Sequence, residues 1–467
     1  MSVEEDKRVV SRMRIASISG LRGLVGDGLD PVVAAEFAAA YASECEPGPI
    51  LVSHDGRVSA AVFMPAVVSA IAATGRDVWR LGATATPTVG FLVRQRGAAG
   101  GVQISASHNP PQYNGLKFFQ KAGMVLGAER GRAMLDRWER RDFAWQSWDS
   151  LGQIRTLDDP DSEHLQRVLE TVDVAAIRAR AFTVVLDACH GSGGRLGERL
   201  LRELGCKTLV LGAQPDGRYD HPPEPTETNL KTFSAVVRSV SADIGFAQDP
   251  DADRLAIVDE NGRYIGEELT LALAVSHRLR QVPGPVVINL STSRVVEDIA
   301  QALGCEVHRT PVGEINVVER MRKEDAVIGG EGNGGVIDPR VGFVRDSFVG
   351  MALVLDQMAA SKDSFSSIVN LLPRYAMVKD QVKLDAESSG SIGELWDRIA
   401  SAYNDARADR RDGLRLAWED RWVQVRASNT EPIVRVIAEA SDAKVARALA
   451  DEVGRFVKAG SSTERGR

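Results

Sequence analysis

Short apolar runs alternate along this chain with longer segments whose apolar positions recur every three or four residues. The run PILVSHD (49–55) leads to AAVFMPAVVSAIAATG (60–75), then DVWRLG (77–82), a second helical segment at PTVGFLVRQRG (87–97) and the run VQISA (102–106). The order returns as AFTVVLD, GRLGERLLRELG and KTLVLG over 181–212, and again as PVVINL, SRVVEDIAQALG and CEVHRT over 285–310. The short runs fit strands and the periodic segments fit amphipathic helices. Their alternation predicts crossover units on a largely parallel sheet. Gly75, Gly205 and Gly304 close three of the predicted helices, where glycine commonly ends the helical run.

The last hundred residues follow another pattern. GSIGELWDRIASAYN (390–404) and AKVARALADEVGRFVKAG (443–460) have helical period, while LRLAWE, WVQVRA and IVRVIAEA between them read as antiparallel strands joined by tight turns. This predicts a separate α+β domain. Pro160 with Asp158–Asp159, the stretch Asp259–Gly262, and Leu372–Pro373 mark candidate boundaries, and the polar tail SSTERGR (461–467) is expected to be disordered.

A chain of 467 residues is too long for one core and predicts three or four domains. The formal charge of −7 argues against a nucleic-acid partner. No apolar run is long enough to span a bilayer, and MSVEEDKRVV lacks the apolar stretch of a signal peptide, so a cytoplasmic protein without a membrane partner is expected. Cys45, Cys189, Cys206 and Cys305 follow no metal-ligand spacing and read as reduced, partly buried thiols.

Four loops carry candidate chemistry. SASHNPPQYNGLK (105–117) sets the hydroxyls of Ser105 and Ser107, the His108 imidazole and a lysine on a turn stiffened by two prolines, as covalent transfer through a serine requires; the same composition also makes an ordinary turn. DPDADR (249–254) places Asp249, Asp251 and Asp253 at alternate positions, where extended backbone turns carboxylates toward one hard cation. An EF-hand is excluded, although Glu260 stands at its twelfth position: Arg254 occupies the glycine position, and the flanks read as strands. GGEGNGG (329–335) offers Glu331 and Asn333 among glycines that admit a ligand close to the backbone. RASNTEP (426–432) offers a guanidinium, hydroxyls and free N–H groups suited to phosphate. HGSGGRLG (190–197) fails as a dinucleotide fingerprint at Leu196 and as a nucleophile elbow at His190, and reads as a structural strand-to-helix turn.

In this order and spacing the four loops resemble those of the α-D-phosphohexomutase family, and SGLRG (19–23), HDGR (54–57), PEPTETNL (223–230) and VGEINV (312–317) extend the resemblance over nearly the whole chain. The resemblance implies an α/β protein of four domains around a central cleft, three similar α/β domains with mixed sheets and a C-terminal α+β domain. The expected ranges are 1–153, 154–259, 260–370 and 371–467, each with one loop. It implies that Ser107 carries the phosphoryl group, that Asp249, Asp251 and Asp253 bind Mg2+ together with an oxygen on Ser107, and that Arg22, Lys117 and Arg254 are the cations beside the transfer. Lys117, Arg22 and His108 are the candidates for general base. Glu331 and Asn333 are implied to read the sugar, and Arg426, Ser428, Asn429 and Thr430 to hold the non-reacting phosphate.

The implied activity interconverts hexose 6-phosphate and hexose 1-phosphate through a bisphosphate, with a hexose bisphosphate as activator and a monomer or homodimer as the working form. NGLKFF (114–119) points to glucosamine phosphate, as in the family's phosphoglucosamine mutases. Gly335 and Asn333, where many relatives carry histidine and serine, keep glucose and mannose phosphates open. A non-catalytic sugar-phosphate-binding protein on this scaffold is the alternative of another class.

Overall fold

The computed structural model describes residues 14–17, 20–383, 392–427 and 433–461. The first sheet has eight strands: β1 (Arg14–Ser17), β2 (Gly20–Val25), β3 (Gly28–Leu29), β4 (Ile50–His54), β5 (Val78–Ala83), β6 (Gly100–Ile104), β7 (Tyr113–Gln120) and β8 (Ile154–Thr156). It is mixed. Strands β6, β4, β5 and β8 run parallel, and β7 and β2 add antiparallel beyond β6. Because β8 pairs with β5, the first sheet reaches past residue 153, where the sequence reading ended the first domain. Three exposed positions in β8 gave too little apolar pattern for a strand to be read there.

The second sheet is β9 (Thr183–Asp187), β10 (Lys207–Leu211), β11 (Ile244–Gln248) and β12 (Leu255–Asp259), in the order β10-β9-β11-β12. The third repeats that order with β13 (Val286–Asn289), β14 (Val307–Thr310), β15 (Ile328–Glu331) and β16 (Gly335–Ile337). In both, three parallel strands end on an antiparallel hairpin, and the hairpin turn is a candidate loop: 249–254 in one and 332–334 in the other. The fourth sheet is wholly antiparallel and comprises β17 (Ala376–Lys383), β18 (Arg407–Asp409), β19 (Leu414–Ala417), β20 (Arg421–Ala427) and β21 (Ile433–Ala440), with β17 at one edge. Ile392–Ala402 and Ala443–Ser461 are its helices. Gly75, Gly205 and Gly304 all take positive φ at helix ends.

One apolar cluster runs from Leu51 in the first unit to Leu372, and the C-terminal sheet has its own cluster from Val382 to Val457. The helix Thr86–Gln95 is buried from Thr86 to Val93, and the helix Ser347–Ser361 is buried from Ser347 to Ala359. Both read as apolar around much of the circumference, as helices enclosed on several sides must be. Between them lies a polar line with no exposure. The His164 ring bonds Thr88 Oγ1 through Nδ1 (2.9 Å) and Asp346 Oδ2 through Nε2 (2.8 Å), with Phe91 stacked on it at 5.2 Å. Asp346 also caps the helix Ser347–Ser361 by accepting from the N–H groups of Phe348 and Val349. The three residues come from three sheets' worth of chain, so this line fixes the first three units to one another.

The third hairpin rests on the second. Leu255 N–H donates to Gly334 O at 3.1 Å, and Gly334 has φ +83°. A Cβ there would stand 2.3 Å from Leu255 O. Gly334→Ala is therefore expected to cost roughly 1–3 kcal/mol for left-handed strain, with more from the clash. Urea unfolding with unchanged m-value is the check; a change below about 0.5 kcal/mol would show that the two hairpins do not depend on this approach.

Candidate functional site

The loop after β6 is held from beneath by one buried ion pair. Asp55 Oδ2 accepts from Arg57 Nε at 3.0 Å and from Ser105 Oγ at 2.6 Å, and Ser105 Oγ accepts the Ser107 N–H at 2.8 Å. The Arg57 guanidinium then donates to the carbonyls of Ser107 (2.6 Å), Asn109 (2.7 Å), Pro110 (2.8 Å) and Tyr113 (3.1 Å). Five donors in a rigid fork suit this gathering of carbonyls, and lysine would not replace it. Ser107 sits at φ +50°, uncommon for a residue with a Cβ, and the clamp holds it there.

Ser107 Oγ donates to Asp249 Oδ2 at 2.9 Å and lies 3.3 Å from His108 Nδ1. Asp249, Asp251 and Asp253 are wholly buried, and one ligand atom from each lies within 4.8 Å of the others. Asp251 Oδ2 accepts from Thr86 Oγ1 and from Lys117 Nζ, both at 2.5 Å; Asp253 Oδ2 accepts from Lys117 Nζ at 2.8 Å and Arg345 Nη2 at 2.7 Å. Their other oxygens, Asp251 Oδ1 and Asp253 Oδ1, have no hydrogen-bond partner although buried. Two orphaned carboxylate oxygens beside a serine hydroxyl form an oxygen-only donor set that fits a hard divalent cation.

Charge here is uneven. Burial, then the neighbouring Asp253 and Asp251, push Asp249 well above the carboxylate range. Burial also acts on Asp253, but Arg345, Lys117 and Arg254 outweigh it and hold that carboxyl well below its usual value. Burial would lower Lys117, yet Asp251 and Asp253 keep it firmly protonated. Burial and the cations Arg254 and Arg22 hold His108 well below 6.5, so its ring is neutral at pH 7. Burial also lowers Arg22, which donates to Asn109 Oδ1 at 2.8 Å; Arg254 Nε lies 3.9 Å from Asp253 Oδ1 and has no hydrogen-bond partner.

Glu331 closes β15 and is 4% exposed. Its Oε1 accepts from Asn289 Nδ2 (2.9 Å) and Gly313 N–H (3.1 Å), and its Oε2 from Arg345 Nη1 (2.9 Å) and Asn333 Nδ2 (3.4 Å). Asn333 Oδ1 is buried and unpartnered. Arg426 leaves β20 and pairs with Asp412 Oδ1 at 3.0 Å, while Asp412 Oδ2 accepts Val312 N–H at 2.9 Å, next to Gly313. Ser428, Asn429 and Thr430 lie outside the described residues.

Those of the predicted residues that are described therefore form one connected set. Ser107, His108, Arg22, Lys117, Arg254 and the three aspartates cluster directly. Arg345 spans from Asp253 to Glu331, with Glu314 Oε2 on its Nε at 3.1 Å, and the Val312–Gly313 turn continues the line to Asp412 and Arg426. Sequence reasoning noted HDGR and VGEINV without giving Asp55, Arg57 or Glu314 a role, and missed Arg345 and Asp412 altogether. An arginine directly before a capping aspartate and a buried helix, in VRDSF, is a signal that could have pointed to Arg345.

Arg345→Met would leave Asp253, Glu314 and Glu331 facing one another without their shared cation. A loss of about 3–5 kcal/mol of stability is expected, because a buried charge is left uncompensated. Chemical denaturation of the variant measures it, and a loss under about 1 kcal/mol would mean that the carboxylates find other partners.

Comparison with known proteins adds the following. Residues 13–145, 162–262 and 266–375 match the phosphoglucomutase/phosphomannomutase alpha/beta/alpha domains I, II and III, and 388–455 match the C-terminal domain of the same family. A phosphoglucomutase/phosphomannomutase of Thermococcus kodakarensis is 35% identical over 92% of this chain and 95% of its own. A probable phosphoglucosamine mutase of Methanopyrus kandleri is also 35% identical, over 93% and 95%. The crystal structure of a phosphoglucomutase/phosphomannomutase family protein from Burkholderia thailandensis superposes with a TM-score of 0.84 at 26% identity, covering 96% of this chain and 98% of that one.

Proposed function

The chain belongs to the phosphoglucomutase/phosphomannomutase family, and from that premise we propose that it moves a phosphoryl group between the 6- and 1-hydroxyls of a hexose phosphate, with Ser107 as carrier. The observation that carries this reading is the Ser107 hydroxyl held 2.9 Å from Asp249, beside two buried carboxylate oxygens that have no protein partner. The carrier works in its phosphorylated form, primed by a hexose bisphosphate. In the first half-reaction the Ser107 Oγ–P bond breaks, a bond forms from phosphorus to the free sugar hydroxyl, and that hydroxyl's proton leaves to His108 or Arg22, since Lys117 is already firmly protonated. The second half-reaction returns the other phosphate to Ser107 after the bisphosphate turns over in the cleft.

The chain's own groups divide this work. The Arg57 clamp fixes the serine, so that little reorganisation is left for the transfer itself. Lys117, Arg254 and Arg22 place positive charge where the phosphoryl oxygens gather negative charge. Asp249, Asp251 and Asp253 would hold Mg2+, which when bound neutralises charge on those oxygens. Asn333 Oδ1, which Glu331 holds in place through the Asn333 Nδ2, accepts from a sugar hydroxyl or an ammonium group, and Arg426 with the loop beyond it grips the phosphate that is not reacting.

Glucosamine phosphate is the substrate we favour. An acceptor amide oxygen left open at Asn333, beside the Glu331 carboxylate, suits an amino sugar, and the Methanopyrus kandleri relative carries the corresponding name. The Thermococcus kodakarensis relative favours glucose and mannose phosphates as a second reading.

Ser107→Ala is expected to lower kcat by about a thousandfold or more, with phosphate found by mass spectrometry on the Ser107 peptide of the parent alone. Near-normal turnover in the variant would remove Ser107 from the chemistry. Chelation is expected to abolish activity and Mg2+ to restore it; faster turnover with Zn2+ or Ca2+ would contradict a small, hard-cation site. Comparison of kcat/KM for glucosamine, glucose and mannose phosphates decides the sugar, and a preference for mannose phosphate would overturn the choice made here.

A further inference from the structure

A second polar cleft, about 720 Å3 in volume, opens between the third and fourth units. The edge strand β14 and the helix Glu314–Glu324 form one wall, and β18, β19 and β20 form the other. It contains no residue of the four loops described above. Seven arginines line it against four carboxylates, so it carries excess positive charge. Its volume falls in the range of small-molecule sites.

The arginine at its floor has no counter-ion. Arg415 is 8% exposed, and among the described residues its guanidinium makes no hydrogen bond and no ion pair; its Nε is buried and unpartnered. It lies over the Trp422 ring at 4.7 Å. The nearby acids are taken. Glu297 is bound by Arg309 at 2.8 Å through both oxygens, Asp409 by Arg411 at 2.6 Å, and Glu439 accepts from Trp422 Nε1 at 2.6 Å and Arg294 N–H at 3.0 Å. Burial, then repulsion from Arg309, lowers the Arg415 guanidinium to about 9, which leaves it cationic at neutral pH. A buried cation without a partner is costly, and proteins normally pair or neutralise it. On the neighbouring strand β18 of the same wall, Arg407 is exposed, and its side chain likewise makes no hydrogen bond or ion pair among the described residues.

We propose that this cleft is a binding site for a phosphorylated small molecule carrying at least two anionic groups, with Arg415 as its buried anchor and Arg407 at its mouth. Bidentate donation from a guanidinium is the usual way to hold such a group, and the aromatic face behind Arg415 keeps the fork in place without using its donors. The site is separate from the catalytic loops and does not depend on how they work.

Pyrophosphate is the probe. Calorimetry on the full chain is expected to show two classes of pyrophosphate site in the parent. Arg415→Met and Arg407→Ala should each weaken one class by roughly tenfold or more, as loss of a charged hydrogen-bonding partner does, while Arg415→Lys weakens it less. Arg426→Ala should leave that class intact and weaken the other. The melting temperature should rise with pyrophosphate in Arg426→Ala and rise less in Arg415→Met. Unchanged binding in both Arg415→Met and Arg407→Ala would overturn the proposal, as would loss of all binding in Arg426→Ala. Should Arg415→Met fail to fold, the exposed Arg407→Ala carries the test alone. Inorganic phosphate bound as tightly as pyrophosphate would refute the requirement for two charged groups.

Discussion

Three carboxyl groups are buried together in the loop between β11 and β12, and the rest of the site is arranged around the mutual repulsion that this burial creates, which Asp249 meets with a raised proton affinity and Asp253 with neighbouring cations. Their oxygens divide into two sets. One set accepts from Thr86, Lys117, Arg345 and backbone N–H groups. The other, Asp251 Oδ1 and Asp253 Oδ1, accepts from nothing. Like charges at this spacing repel strongly where little water reaches, so cations must come from several units at once. Lys117 comes from the first sheet, Arg345 from the turn before the helix Ser347–Ser361, and Arg254 from the aspartate loop itself. Electrostatic need thus draws the units to a common centre, and the loop 329–335 follows because Arg345 also binds Glu331.

Much of this was legible in the chain. The strand and helix periods gave the repeated α/β units and the antiparallel C-terminal sheet, because each element buries an apolar face and so carries a readable pattern. Ser107, Asp249, Asp251, Asp253 and Glu331 stood out because they sit in runs of polar and glycine residues where apolar positions would otherwise recur. Arg57, Arg345, Glu314 and Asp412 were not legible as site residues, since a lone charged residue in an ordinary loop reads as solvated. Their roles depend on groups tens or hundreds of positions away: Arg57 binds carbonyls of 107–113, and Arg345 binds a carboxylate at 253. β8 was missed for the opposite reason. It is a short edge strand with exposed side chains, held by backbone bonds that no side-chain pattern reveals.

The same contrast applies to Arg415 and Arg345, which are both buried arginines but differ in their surroundings. Arg345 meets three carboxylates and is held protonated by them, with burial acting against it. Arg415 meets a tryptophan face and another arginine. A sequence shows each simply as an arginine next to an apolar residue, after Val344 in one case and between Leu414 and Leu416 in the other; only the fold separates the cation whose partners are internal from the one that has none within the described residues.

The apolar cluster that reaches from Leu51 to Leu372 has a consequence for how the protein is made. During synthesis the chain leaves the ribosome from its N-terminus, and domains fold as units when their residues have emerged. Here the first sheet can pair its strands early, but the buried helix Thr86–Gln95 needs the helix Ser347–Ser361 and the His164–Asp346 bond before its surface is covered. For more than two hundred residues of elongation, that helix face has only part of its cover, so apolar surface stays open to non-native contacts until residues 341–361 have emerged. The C-terminal sheet, with a core of its own, can close once β21 has paired with β17 and the helix Ala443–Ser461 has emerged to cover it.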